Sequence, residues 1–170
     1  MNHNKFILSP ISEILKDVAT ASVGIGTGIE TYPLCDYVMQ SVFLKMTGSQ
    51  EQKMKCICWE LASSDYEYRY FRFTQKRLGE CSEYSEKREI YKDLVKQIQK
   101  NDTSFVSLTP NERNDILSKT KLSIENIFTD SNLLIWAQKS YSEFLNIWSG
   151  VLKTHFANDK DNLFTGINGY

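Results

Sequence analysis

Apolar residues recur at threes and fours along most of this chain, a spacing that stacks them on one face of a helix. The longest such run lies between Asn132 and Phe156, through Leu134, Ala137, Tyr141, Phe144 or Leu145, Trp148, Leu152 and Phe156. Asp130, Ser131 or Asn132 is placed to cap its first turn, because a short side-chain oxygen accepts a bond from an otherwise unpaired backbone N–H there. Lys153 and His155 fall in the last turn, where a cation suits the negative end of the helix dipole. The stripe is too wide and too aromatic to face water. The pattern therefore predicts a long central helix that others cover.

The same spacing organises the rest. Ser9-Pro10 reads as a cap with proline at the first helical position. Ile11, Ile14, Leu15 and Val18 then give a first helix to about Ser22, and Gly24 to Gly28 a connector. Leu34, Tyr37, Val38, Val42, Leu44 and Met46 give a second helix that Gly48 is placed to end. Ser49 and Gln52 form a capping box, opening a third helix to about Ala62 with Met54, Ile57, Cys58 and Leu61 inward. So short a turn makes the two antiparallel neighbours. From Asp65 to Lys76 the tyrosines alternate as in a strand, yet Tyr66, Tyr70 and Phe73 also fit a helix face. The helix reading is preferred, with Asp65 as cap and Gly79 as stop. A polar helix follows from about Glu83 to Lys100, with Tyr91, Leu94, Val95 and Ile98 inward. Its outer face carries Glu86, Lys87, Arg88, Glu89, Lys92, Asp93 and Lys96. Thr109-Pro110-Asn111-Glu112 is the clearest boundary, combining cap, proline and capping-box glutamate. It opens a short helix to about Lys119, and Ser123 starts another turn or two. The expected fold is all-α: a single-domain bundle of about five to seven helices over residues 1–170, with 1–8 and 157–170 as loose ends.

Composition supports this. The 170 residues suit one domain. With 41% hydrophobic and 24% charged residues, wholesale disorder is excluded. Three prolines and eight glycines favour long helices over many short strands. A net charge of −1 supplies no global field for nucleic acid, so any such contact needs a local patch. No signal peptide is visible, and no stretch approaches the roughly 20 apolar residues that span a bilayer. The expectation is a cytoplasmic protein without membrane contact, whose four cysteines are reduced thiols.

Candidate chemistry is sparse. Gly24-Ile25-Gly26-Thr27-Gly28 lacks the spacing, and the preceding strand, of a phosphate-binding loop. Cys56 and Cys58, two apart, point to opposite sides of a helix and cannot share an ion. No metal or cofactor is expected. His155 is the one imidazole placed for acid–base work, and the last-turn cation is the plainer reading of it. The most informative run is Tyr66 to Arg77. Tyr68, Arg69, Arg72, Lys76 and Arg77 interleave rings with cations, as single-stranded nucleic acid binders do. The competing reading places half the rings in the core, with arginines stacked on them from outside. Finally, Trp136 lies about 120° round the predicted long helix from Trp148. With Ile135 and Ile147 it marks a second apolar side, suited to a two-fold homodimer interface.

The predicted helix pair DYVMQSVFLKMTG and SQEQKMKCICWELA, with the aromatic-rich long helix, resembles the small all-α HEPN-type domains of bacterial defence and toxin–antitoxin systems. The resemblance implies a bundle of about five helices, frequent dimers, and in many members metal-independent ribonuclease activity. Active members carry an Arg-x₄₋₆-His pair. Neither His3 nor His155 has an arginine at that distance, and the residues ahead of His155 run NIWSGVLKT. No catalytic residue carries over. The expected function is an interaction module that self-associates or binds a protein partner. The alternative is a metal-independent ribonuclease or RNA-binding protein of this type.

Overall fold

Helix accounts for 79% of the described residues, 3–152 of a computed structural model, and none of them lies in a strand. The all-α architecture expected from the periodicity is the one the chain adopts. No helix among these residues is long and apolar enough to cross a membrane. Contacts gather into two compact units: residues 3–9 with 49–108, and residues 10–48 with 109–152.

The N-terminus departs from expectation first. In place of a loose end over residues 1–8, His3–Leu8 forms helix α1. Ser9 ends it instead of opening the next helix, its Oγ donating to the Phe6 carbonyl at 2.8 Å. The buried Lys53 ammonium donates to the carbonyls of Phe6, Ile7 and Ser9 and sits 4.9 Å from the Phe6 ring centroid. It supplies the cation that the end of a helix favours. His3 Nδ1 lies 2.7 Å from Glu60 Oε1, which ties down the other end.

Helix α2 runs Ser12–Ala21 and Ser22 caps its end as expected. A 3-10 turn at Ile29–Thr31 leads into α3, Tyr32–Ser64. Here the expected stop fails. Gly48 and the Ser49–Gln52 capping box do not divide the chain, and one helix of 33 residues continues through them. A glycine costs a helix interior only about 1 kcal/mol, less than abandoning a turn on either side. Cys35, Val42 and Cys56, at multiples of seven along the helix, are all buried.

Asp65 accepts from the Tyr68 N–H at 2.9 Å and starts α4, Tyr66–Tyr70, as expected. A π-helical turn, Phe71–Gln75, extends it and ends before Gly79. Cys81 then turns the chain at φ 62°, a conformation unusual for a residue with a side chain; burial of its thiol holds it. Helix α5 spans Tyr84–Asn101. Ile90 is fully buried, and Lys87 and Asp93, expected on the solvated face, are buried with it.

Thr109 caps α6 with the full reciprocal box: its Oγ1 accepts from the Glu112 N–H at 3.3 Å, and Glu112 accepts from the Thr109 N–H at 2.7 Å. The helix runs Pro110–Thr129. The short helix to Lys119 and the restart at Ser123 are one helix, since nothing between them breaks it. The predicted long terminal helix, by contrast, is broken. Helix α7 is only Leu133–Trp136. Ala137 leaves helical geometry at φ −123°, ψ 32°, and α8 restarts over Gln138–Ile147. A π-helical turn follows at Trp148–Leu152. Ser131 Oγ accepts from the Leu133 N–H at 3.3 Å, whereas Asn132 reaches back to the Ile25 carbonyl at 3.0 Å. The kink lets Leu133 and Ala137 bury together with Leu15, Val42 and Phe128 in the core of this unit. Complete burial of a side chain like Leu133 stabilises by about 1.5–3 kcal/mol. Phe128, Tyr141, Phe144 and Trp148 form a row with centroids 4.7, 6.3 and 5.5 Å apart. Trp148 is buried as expected.

Candidate interaction surface

The run from Tyr66 to Arg77 is placed by its cap. Once Asp65 fixes the first turn, positions three and four apart share a face, and the run divides into an inner and an outer side. Asp65 is held by Lys100 and, at 2.8 Å, by Gln97 of α5. Lys100, then the Tyr68 N–H, then Gln97 keep its carboxyl well below the usual carboxylate range.

Tyr68 and Arg72 face inward. This corrects the expectation that both are available to nucleic acid. Tyr68 packs with Cys58 and Ala62, and its hydroxyl donates to Cys58 Sγ at 3.5 Å. Burial, then Cys58, pushes its ionisation far above the ordinary tyrosine range. Arg72 Nε donates to Asp93 Oδ2 at 2.5 Å, and Nη2 lies 3.4 Å from Glu89 Oε2. Burial works against the guanidinium charge, but the Asp93 hydrogen bond and field more than restore it. This pairing explains why Asp93 turns inward on α5. A buried arginine needs a carboxylate, and the charge count alone does not indicate which.

Tyr66, Arg69, Tyr70 and Phe73 face outward. Trp59 of α3 meets Phe73 edge-on, with centroids 5.9 Å apart at 83°. Their rings, with Ala62, Ser63 and Arg69, line a notch of about 130 Å³. The four aromatic side chains Trp59, Tyr66, Tyr70 and Phe73 are 42% to 80% exposed. Lys76 is paired with Glu89 at 3.2 Å, and Arg77 Nε donates to the Phe73 carbonyl at 3.0 Å. A π-helical turn in such a place is itself characteristic of functional segments.

No protein-family model, curated protein or solved structure matches this chain.

The other candidates are dispersed. Trp136 packs against the core of its unit with its indole nitrogen buried, which corrects its placement on a free face. Ile135 is exposed and Ile147 half-buried. The break at Ala137 removes the straight helix on which the three shared a side. His155 lies outside the described residues. All four cysteines are buried as free thiols. Burial pushes the Cys58 and Cys81 thiols up, away from the thiolate that nucleophiles and metal ligands need. Trp59 is the residue that sequence reasoning missed. Within a helical pattern it is one more apolar position, and only the outward turn of Phe73 gives it a neighbour at the surface.

Proposed function

We propose that the chain is a helical interaction module that binds a protein partner through the outward strip of α4 and Trp59, in the bacterial defence or toxin–antitoxin setting that the HEPN resemblance suggests. The observation that carries this is the exposure of Trp59, Tyr66, Tyr70 and Phe73 in one unit, with Trp59, Phe73 and Arg69 lining one notch. Together they leave roughly 400–500 Å² of aromatic surface in water, the size at which a patch usually marks an interaction site. Trp, Tyr and Arg are also the residues that dominate binding energy at protein interfaces. A nucleic-acid partner fits less well. Of the five candidate residues, Tyr68 and Arg72 are buried and Lys76 is committed to Glu89. Arg69 and Arg77 remain, too few cations for an affinity built on phosphate contacts.

The experiment compares affinity capture by the native chain and by Tyr66→Ala/Tyr70→Ala, alongside fluorescence anisotropy with single-stranded RNA. A protein held by the native chain and lost from the equally helical variant supports the reading. Salt-sensitive RNA binding that is lost on Arg69→Ala, with no protein held, replaces it with the RNA-binding alternative.

A further inference from the structure

Among the described residues the arginines Arg72 and Arg113 are buried. Arg72 is answered by Asp93 and Glu89. Arg113 has no such partner among them. It is 6% exposed, its Nε is closed off from water without a hydrogen-bond partner, and no described carboxylate pairs with it. The acids beside it in sequence are engaged elsewhere. Glu112 accepts from the Thr109 N–H at 2.7 Å and the Thr109 hydroxyl at 2.8 Å, and Asp115 lies 2.7 Å from Lys119. A buried charge is costly unless an opposite one answers it.

Its place on α6 adds to the cost. From Pro110 to Thr120, Arg113 alone is buried. Side chains of a helix lean toward its N-terminus, so a residue one turn in reaches back over the first turn. There the 20-residue α6 presents the positive end of its dipole. A cation suits the other end. An anion beside Arg113 meets both the guanidinium and the dipole.

We propose that Arg113 and the first turn of α6 bind the carboxylate group of a ligand, with its oxygens on the Nη groups of the guanidinium. The planar fork of arginine matches that pair of oxygens. The charge balance selects a carboxylate over a phosphate. Arg113 supplies one positive charge and the helix end about half of one, while Glu112 supplies one negative charge. About half a positive charge remains. A carboxylate answers it, whereas a phosphate monoester, at about −1.5 to −2, exceeds it. The site lies in the unit that does not hold the α4 strip, and the inference holds whether or not the strip binds a partner.

Sodium acetate is the probe. The full isotope-labelled chain is titrated with it at constant ionic strength, sodium chloride making up the balance, and the Nε–H signals of Arg72 and Arg113 are followed by NMR. The Arg113 signal should shift to saturation with a dissociation constant on the order of 1–100 mM, the range open to a single ion pair. Arg72, whose Nε already donates to Asp93, should not move. Acetate should also raise the thermal midpoint by mass action. Arg113→Leu removes the buried charge, so it should keep the native helical circular dichroism and lose that rise. The proposal is overturned by the lack of a saturable shift at Arg113, by equal shifts at both arginines, or by a rise in midpoint that survives Arg113→Leu. Inorganic phosphate binding more tightly than acetate overturns the choice of carboxylate.

Discussion

Removing Asp93 should be among the most damaging single changes to the first unit. The Arg72 side chain is 1% exposed and Asp93 8%, so Asp93→Ala strands a guanidinium where water does not reach. Breaking one side of a buried pair costs about 3–5 kcal/mol. Glu89, 3.4 Å from Nη2 and 36% exposed, offers partial replacement and places the expected loss near ~3 kcal/mol. Arg72 Nη1 is buried without a partner, so the pair already carries an uncompensated desolvation cost. Arg72→Met with Asp93→Leu removes both charges and that cost together, and the double variant should lie within about 1 kcal/mol of the native chain. Urea unfolding followed by circular dichroism measures all three. At about 1–3 kcal/mol per molar urea, Asp93→Ala should lower the midpoint by roughly 1–3 M. A loss below about 1 kcal/mol, the value of an exposed pair, would show that the Arg72–Asp93 pair is not buried. A double variant no more stable than Asp93→Ala would contradict the desolvation cost.

Thr109→Ala should cost about 1 kcal/mol in the same assay, because it removes the acceptor for the Glu112 N–H; a loss near zero would show that the box does not hold α6. Trp148→Ala should cost ~3–5 kcal/mol, since the ring is buried beside Phe144. Less than about 1 kcal/mol would place that face outside. Acid should destabilise the chain. Lys100 depresses the Asp65 carboxyl, Lys76 that of Glu89, and Thr109 that of Glu112. Each contribution is whole above the ordinary carboxylate value near 4 and is lost as pH falls toward the lowered folded value. Asp65→Asn keeps the cap oxygen but not the charge, so it should flatten the decline of stability below about pH 4; an equally steep decline contradicts the assignment.

The helical content of this fold is legible in the periodicity, and the capping chemistry at Thr109 and Asp65 is legible to the residue. Stops and continuations are less so. Gly48 followed by a capping box is indistinguishable in sequence from a glycine that a helix passes through. The helix of 33 residues passes through it, since a glycine costs a helix interior only about 1 kcal/mol. For the same reason the division of contacts at residues 48 and 49 leaves no trace of loop composition, since it falls inside a helix. At Ala137 the opposite holds. The residue favours helix, yet leaves it because Leu133 and Ala137 bury better across a kink. In the candidate site the residue types were visible and their directions were not. Tyr68 and Arg72 point in because Cys58 and Asp93 await them on other helices. Those partners are 10 and 21 residues away, beyond the reach of a spacing argument.

The claim that the α4 strip is the working surface is tested most directly by placing a photo-crosslinking phenylalanine analogue at Tyr70 and irradiating the protein in its own cells. Lys139, whose side chain is 91% exposed on the other unit, is the control position. The account predicts a discrete protein adduct from position 70 and none from 139. Adducts to RNA alone at position 70, or the same products from both positions, would contradict it.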